Sequence, residues 1–221
     1  MLVNEILNTD IRPIAVTDTV ALALTKMDLI ATTKFPVVNK DKLLIGMAEL
    51  DTLIEVDHEE MDIRDIELGD PIYIRNGNHI FEASRLMLTH ELFALPVVDS
   101  DMKFLGMVRK REVLKALGEI FNLSVYGSVI TVGVEHFDFS LSELARIVEE
   151  EGAKILGVAV QQPNSDNNTY QISLKLNIED SSKVSAALRR FGYLITSEAN
   201  SETMDTDYSE RANELLRYLD I

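Results

Sequence analysis

The sequence predicts an α+β protein in two parts, a duplicated β-α-β-β-α unit followed by a single β-α-β-β-α-β module. Three observations carry this prediction. The chain matches itself at an offset of 60, each copy places two short apolar strands after a helical periodicity, and beyond Asn122 the pattern changes to β-branched strands interleaved with two amphipathic helices. With 221 residues, 46% of them hydrophobic, the chain can fill one large core or two ordinary ones. The repeat favours division.

The self-match pairs Ala23 with Ala83, Met27 with Met87, Pro36, Val37 and Val38 with Pro96, Val97 and Val98, Asp41 with Asp101, and Gly46 and Met47 with Gly106 and Met107. Average residue usage would give roughly two or three identities over such a stretch, not these eight. In the first copy Thr17 and Asp18 are placed to cap a helix whose apolar positions Val20, Ala23, Leu24 and Met27 share one face. In the second, Asn76 or Asn78 is placed to cap a helix carrying Ile80, Ala83 and Met87. Strands are expected at Phe35 to Asn39 and Leu43 to Ala48, and again at Ala94 to Asp99 and Phe104 to Arg109, each pair followed by a closing helix. Neither copy has enough sheet to stand alone, so the two should pack together.

The segments KFPVVNKDKLLIGMAELDTL and FALPVVDSDMKFLGMVRKREVL resemble the cystathionine-β-synthase (CBS) domain, with its apolar-Pro-Val-Val strand, turn, and Gly-apolar-apolar-Ser/Thr-x-x-Asp. The resemblance divides the first part into repeats at 1–60 and 61–122. It implies a tandem CBS pair that binds adenine nucleotides or related ligands between the repeats and dimerises. It also implies that the hydroxyl position meets phosphate and the carboxylate position takes the ribose hydroxyls.

In the first copy Glu49 stands at the hydroxyl position and Thr52 at the carboxylate position, and nine acids from Asp51 to Asp70 face the single Arg64. A carboxylate beside phosphate is repulsive. In the second copy Arg109 stands at the hydroxyl position, where a guanidinium can fork onto phosphate, and Glu112 keeps the carboxylate. The expected ligand contacts are therefore Arg109 and Glu112, with Ile72, Leu95, Pro96 and Met107 lining an apolar base pocket. The expected ligand is AMP, ADP, ATP or S-adenosylmethionine. Each apolar position is equally well explained as core, and the Arg109-Lys110-Arg111 run as a solvated helix start.

After Asn122 the order is a strand from Ser128 to Glu135, a helix capped by Ser140 and ended by Gly152, strands KILGVAVQQ and TYQISLKLNI around the turn PNSDNN, a helix from Ser181 to Phe191, and a strand YLITSE. This is the ferredoxin-like βαββαβ order, and residues 127–199 resemble an ACT domain, a small-metabolite sensor that pairs across subunits. The usual ACT glycine is replaced by Ser142, leaving His136, Asp138, Ser140 and Ser142 as polar candidates. Residues 200–221 read as a polar linker and a helix from Tyr208.

The rest of the composition argues by exclusion. Zero Cys removes disulfides, thiolate metal sites and thiolate nucleophiles, and suits a cytoplasmic setting. A net charge of −16 disfavours nucleic acid, and the sequence shows no membrane span or signal peptide. Catalytic motifs are absent, and the His58-Glu59-Glu60 run is a weak metal candidate. The expectation is a non-enzymatic regulatory homodimer, joined through both kinds of module, that couples ligand in the second CBS cleft to the ACT arrangement and signals to an unknown protein partner. The alternative is a degenerate scaffold for self-association and docking without ligand.

Overall fold

The computed structural model describes residues 1–135, 140–163 and 169–199. They fall into two units, Met1–Leu117 and one beginning at Gly118. The expected contacts of His136 and Asp138, the turn at 164–168 and the C-terminal helix lie outside the described residues. Among the described residues no helix is long and apolar enough to cross a membrane.

The first unit holds two three-stranded sheets of identical plan. One comprises β1 (Ile14–Ala15), β2 (Lys34–Val38) and β3 (Leu44–Glu49), with α1 (Val20–Ile30) crossing from β1 to β2 and α2 (Leu50–Ile54) following β3. The other comprises β4 (Ile74–Arg75), β5 (Ala94–Val98) and β6 (Phe104–Arg109), with α3 (Ile80–Thr89) and α4 (Lys110–Ile120) in the matching places. In each sheet the two-residue strand runs parallel to the middle strand and the third runs antiparallel. Pro36 and Pro96 stand in middle strands without disrupting them, because β1 and β4 first pair at Val37 and Val97. The backbone repeats even where side chains differ. Ala31 and Glu91 end the two crossover helices at φ 53° and 54°, and Lys42 and Met102 close the two hairpins at 63° and 66°.

Both helix caps differ from the sequence expectation. The capping residues are Thr19, whose hydroxyl accepts from Leu22 N at 3.3 Å, and His79, whose Nδ1 accepts from Phe81 N at 3.3 Å. Asp18 is otherwise engaged, its carboxylate accepting from Ala15 N at 2.9 Å and Lys26 Nζ at 2.6 Å.

Carbonyls one and three residues before each cap bind an exchanged arm. Val3 N and Asn4 N donate to Asn78 O and Asn76 O at 2.9 and 3.1 Å, while Ile63 N and Arg64 N donate to Asp18 O and Val16 O at 2.9 and 3.0 Å. The chain start therefore completes the second repeat, and the segment from Asp62 to Gly69 completes the first. Asn8 pairs with Met107 on β6 as Gly69 pairs with Met47 on β3. Val3 is buried in the second core beside Ile74, Leu95 and Val108, and Ile63 in the first beside Ile14, Phe35 and Leu53. The hairpin turns also meet reciprocally, Leu44 N donating to Met102 O at 3.0 Å and Phe104 N to Lys42 O at 2.9 Å. The two repeats are thus related by an approximate two-fold axis.

The second unit follows the strand–helix order read from the sequence: β7 (Val129–Val134), α5 (Leu141–Glu150), β8 (Ile155–Gln161), β9 (Tyr170–Leu176), α6 (Ser182–Arg190) and β10 (Leu194–Ala199). The strands form one antiparallel sheet in the order β10-β7-β9-β8. Alternation decides the faces. Ile130, Val132 and Val134 with Ile172, Leu174 and Leu176 are buried beneath Leu144, Ile147 and Val148 of α5 and Val184 and Leu188 of α6. The other face is more polar, with Thr131 Oγ1 2.9 Å from Ser173 Oγ. Ser140 caps α5 as expected, accepting from Glu143 N at 3.4 Å. A side chain at Gly127 would place its Cβ 1.9 Å from Leu176 O, so only glycine fits there.

Candidate functional site

The two repeats bring equivalent positions to the ends of β3 and β6, where each strand turns into a helix. Backbone bonds pin both corners, with Leu50 N donating to Thr33 O and Lys110 N to Phe93 O, each at 2.8 Å. The side chains then diverge.

In the first repeat Glu49 faces Lys34 across the β2–β3 ladder, and the two form an ion pair at 2.8 Å. A Cβ on Gly69, in the arm beside them, would lie 2.7 Å from Glu49 Oε1. The corner thus holds a neutralised pair beside the backbone of the exchanged arm.

In the second repeat the register partner of Arg109 is Ala94, so no charge stands opposite it on the neighbouring strand. Its guanidinium instead forks onto Glu112, one turn into α4, with Nε donating to Oε2 at 3.0 Å and Nη2 to Oε1. Burial works against ionising Glu112, but hydrogen bonds from the Arg109 side chain and from backbone N–H groups outweigh it and hold the carboxyl below its usual range. The same fork raises the Arg109 guanidinium above its ordinary value. The fork is partly exposed, at 40% for the Arg109 side chain and 26% for that of Glu112. The adjoining Lys110 and Arg111 are exposed, with Lys110 Nζ 5.5 Å above the Phe93 ring.

Of the six residues singled out from the sequence, Arg109 and Glu112 are in contact. Leu95 is wholly buried in the second repeat's core and Met107 in the first's. Pro96 is also buried, and Ile72 is half-buried against the second core. Among the described residues, no group of three or more His, Asp or Glu side chains is arranged to hold a metal.

A cavity of about 680 Å³ in the second unit has walls that include Gly133, Glu135, Ser140, Glu143, Phe191 and Tyr193, of which the sequence singled out Ser140 alone. Tyr193 Oη donates to Glu143 Oε2 at 3.0 Å there. The two residues lie 50 positions apart, and only the fold brings them together.

Comparison with known proteins bears on the first unit. Residues 63–119 match the family profile of the CBS domain. Over 112 residues the chain is 23% identical to the inosine-5'-monophosphate dehydrogenase of Methanocaldococcus jannaschii, covering 51% of this chain and 23% of that protein. The chain spans under a third of the length of the curated relatives it matches. Among solved structures, a CBS domain pair/ACT domain protein of Thermotoga maritima superposes with a TM-score of 0.48 at 26% identity, covering 54% of this chain and 98% of that one. CBSX2 in complex with AMP superposes with a TM-score of 0.46 at 22% identity, covering 54% and 97%. The profile match identifies a CBS domain in the second repeat, and the first repeat has the same strand order and register and a reciprocal arm.

Proposed function

We propose that the chain is a non-catalytic regulatory protein in which the Arg109–Glu112 corner of the second CBS repeat takes an adenine nucleotide or S-adenosylmethionine. The observation that carries this reading is the contrast between the corners. Glu49 is neutralised in place by Lys34, whereas Arg109 faces Ala94 and, among the described residues, is held by a carboxylate that a ligand can replace. A phosphate would compete for the guanidinium with charge-assisted hydrogen bonds. Glu112, once released, becomes an acceptor for two ribose hydroxyls. Of the apolar candidates, Ile72 is the one with surface left to offer a base. Any part played by Leu95, Pro96 or Met107 requires the core to part.

The β10-β7-β9-β8 module serves in this reading as a ferredoxin-like ACT domain, and the chain self-associates as a cytoplasmic homodimer that signals to a protein partner. Ligand can bias that arrangement only by binding one state better than another. Thermal-shift measurements with AMP, ADP, ATP and S-adenosylmethionine test the reading. A ligand at 100 times its dissociation constant adds about 2.7 kcal/mol. Arg109→Ala should abolish the shift, and Glu112→Gln should leave phosphate attraction while removing the preference for the ribosyl compound. No shift with any of the four at millimolar concentration would favour the scaffold reading instead.

A further inference from the structure

The sheet of the second unit packs its inner side against α5 and α6. On the outer side the register sets Ser197, Thr131, Ser173 and Ala159 in one row across β10, β7, β9 and β8. Beside that row Leu194, opposite Gly133, is 66% exposed, and Ala159 and Ser197 are exposed as well. The strands supply no acid to this side. Their one carboxylate, Glu198, lies opposite the buried Ile130 and accepts from Ser181 Oγ at 2.6 Å. Their one base, Lys175, lies on the outer side opposite Val129, with Nζ 3.1 Å from Gly127 O. In a chain of 37 acids and 21 bases, a face whose single strand-borne charge is positive is matched to an acidic partner.

We infer that residues 208–221 of the same chain cover this outer face as a helix lying across the strands. Reach favours it. β10 is an edge strand of the sheet and ends at Ala199, so the chain leaves beside the face it is to cover. Residues 200–207 can span about 26 Å when extended. The sheet measures only about 14 Å from one outer strand to the other. Fit favours it too. Tyr208, Ala212, Leu215 and Leu219 fall at the spacing that puts them on one side of a helix, with Glu210 and Arg217 on the other. Fourteen helical residues are about 21 Å long, enough to cross all four strands. The short side chains of Thr131, Ser173 and Ala159 leave room for Leu215 and Leu219 to seat against the sheet. Charge makes the choice of face, because residues 200–221 carry six acids and two bases. Such a segment is drawn to the side holding Lys175 and repelled by acidic surface elsewhere. The docking is independent of any ligand at Arg109 and of self-association.

The chain has neither cysteine nor tryptophan, so each can be introduced as a clean probe in the full-length protein. Ser173→Cys combined with Leu215→Cys should close a disulfide within one chain under mild oxidation. Ser173→Cys combined with Arg217→Cys, on the opposite side of the helix, should close about a tenth as much or less. Leu219→Trp should emit at the wavelength of a buried indole, and adding Ser173→Glu or Lys175→Glu should return it to that of an exposed one. Disulfides that join two chains would overturn the inference in favour of a second copy seated on the face. Equal closure from Leu215→Cys and Arg217→Cys would reduce the contact to tethered proximity and overturn it as well. So would a Leu219→Trp that emits as exposed indole in the otherwise wild-type chain, or one whose burial neither added carboxylate disturbs.

Discussion

The exchanged arm makes Gly106 the most consequential glycine of the first unit. Gly106→Ala would place a Cβ 2.4 Å from Asn8 O and 2.9 Å from Leu7 Cδ1. The nearest obstacle is backbone, so it cannot rotate away. The arm must lift, and with it go the paired bonds Asn8 N to Met107 O at 2.8 Å and Met107 N to Asn8 O at 2.9 Å. Two backbone hydrogen bonds contribute about 2 kcal/mol together. If lifting also withdraws the fully buried Val3, a further 1.5–3 kcal/mol of apolar burial is lost, so the total is about 2–5 kcal/mol. For a unit of this size that lowers the melting temperature by roughly 8–20 °C. Calorimetry gives the shift, and hydrogen exchange at the Asn8 and Met107 amides shows whether the arm has lifted. A melting temperature within about 2 °C of wild type, with both amides still protected, would refute the reasoning.

Gly118 in α4 has nothing within 4 Å of its missing Cβ, so Gly118→Ala should stabilise by about 0.5–1 kcal/mol in urea denaturation through helix propensity. Lys34→Ala should cost under about 1 kcal/mol, because Lys34 and Glu49 are 33% and 39% exposed, and a larger loss would show that the filled first corner is structural. The Glu112 carboxyl should titrate by NMR below its reference value of 4.5, and Arg109→Ala should move the midpoint upward as burial loses its counterweight. By linkage, the fork's contribution is fully present above pH 4.5 and is lost as pH falls through the lowered value. Wild type and Glu112→Gln should therefore differ by a constant amount from pH 6 to 8 and converge under strong acid, and a midpoint at or above 4.5 would contradict the fork.

Much of the fold was legible because it rests on periodicity. Offset identities such as Pro36 with Pro96 and Gly46 with Gly106 announced two equal sheets, and their registers agree to the residue, Pro36 opposite Met47 and Pro96 opposite Met107. The caps were misread by one residue because Asp18 and Asn78 are good capping types by composition, while the arm claims their carbonyls and the helices begin after Thr19 and His79. The exchange itself left no mark in the sequence, since backbone groups common to every residue type carry its hydrogen bonds. At the site, the three-residue spacing of Arg109 and Glu112 made their contact foreseeable. The Lys34–Glu49 pair was not, because it depends on which residues the ladder sets opposite one another.

The sequence alone determined the duplication, the β-branched second unit, the sign of charge on each repeat and the residue types at the two corners, all properties of order and composition along the chain. Only the tertiary structure decided that each repeat is finished by the other's arm, that Glu49 is neutralised while Arg109 is held by Glu112, and that Leu95 and Met107 are core. Those outcomes depend on distances between residues remote in sequence, and a one-residue change of strand register or arm position would alter each without changing a single letter.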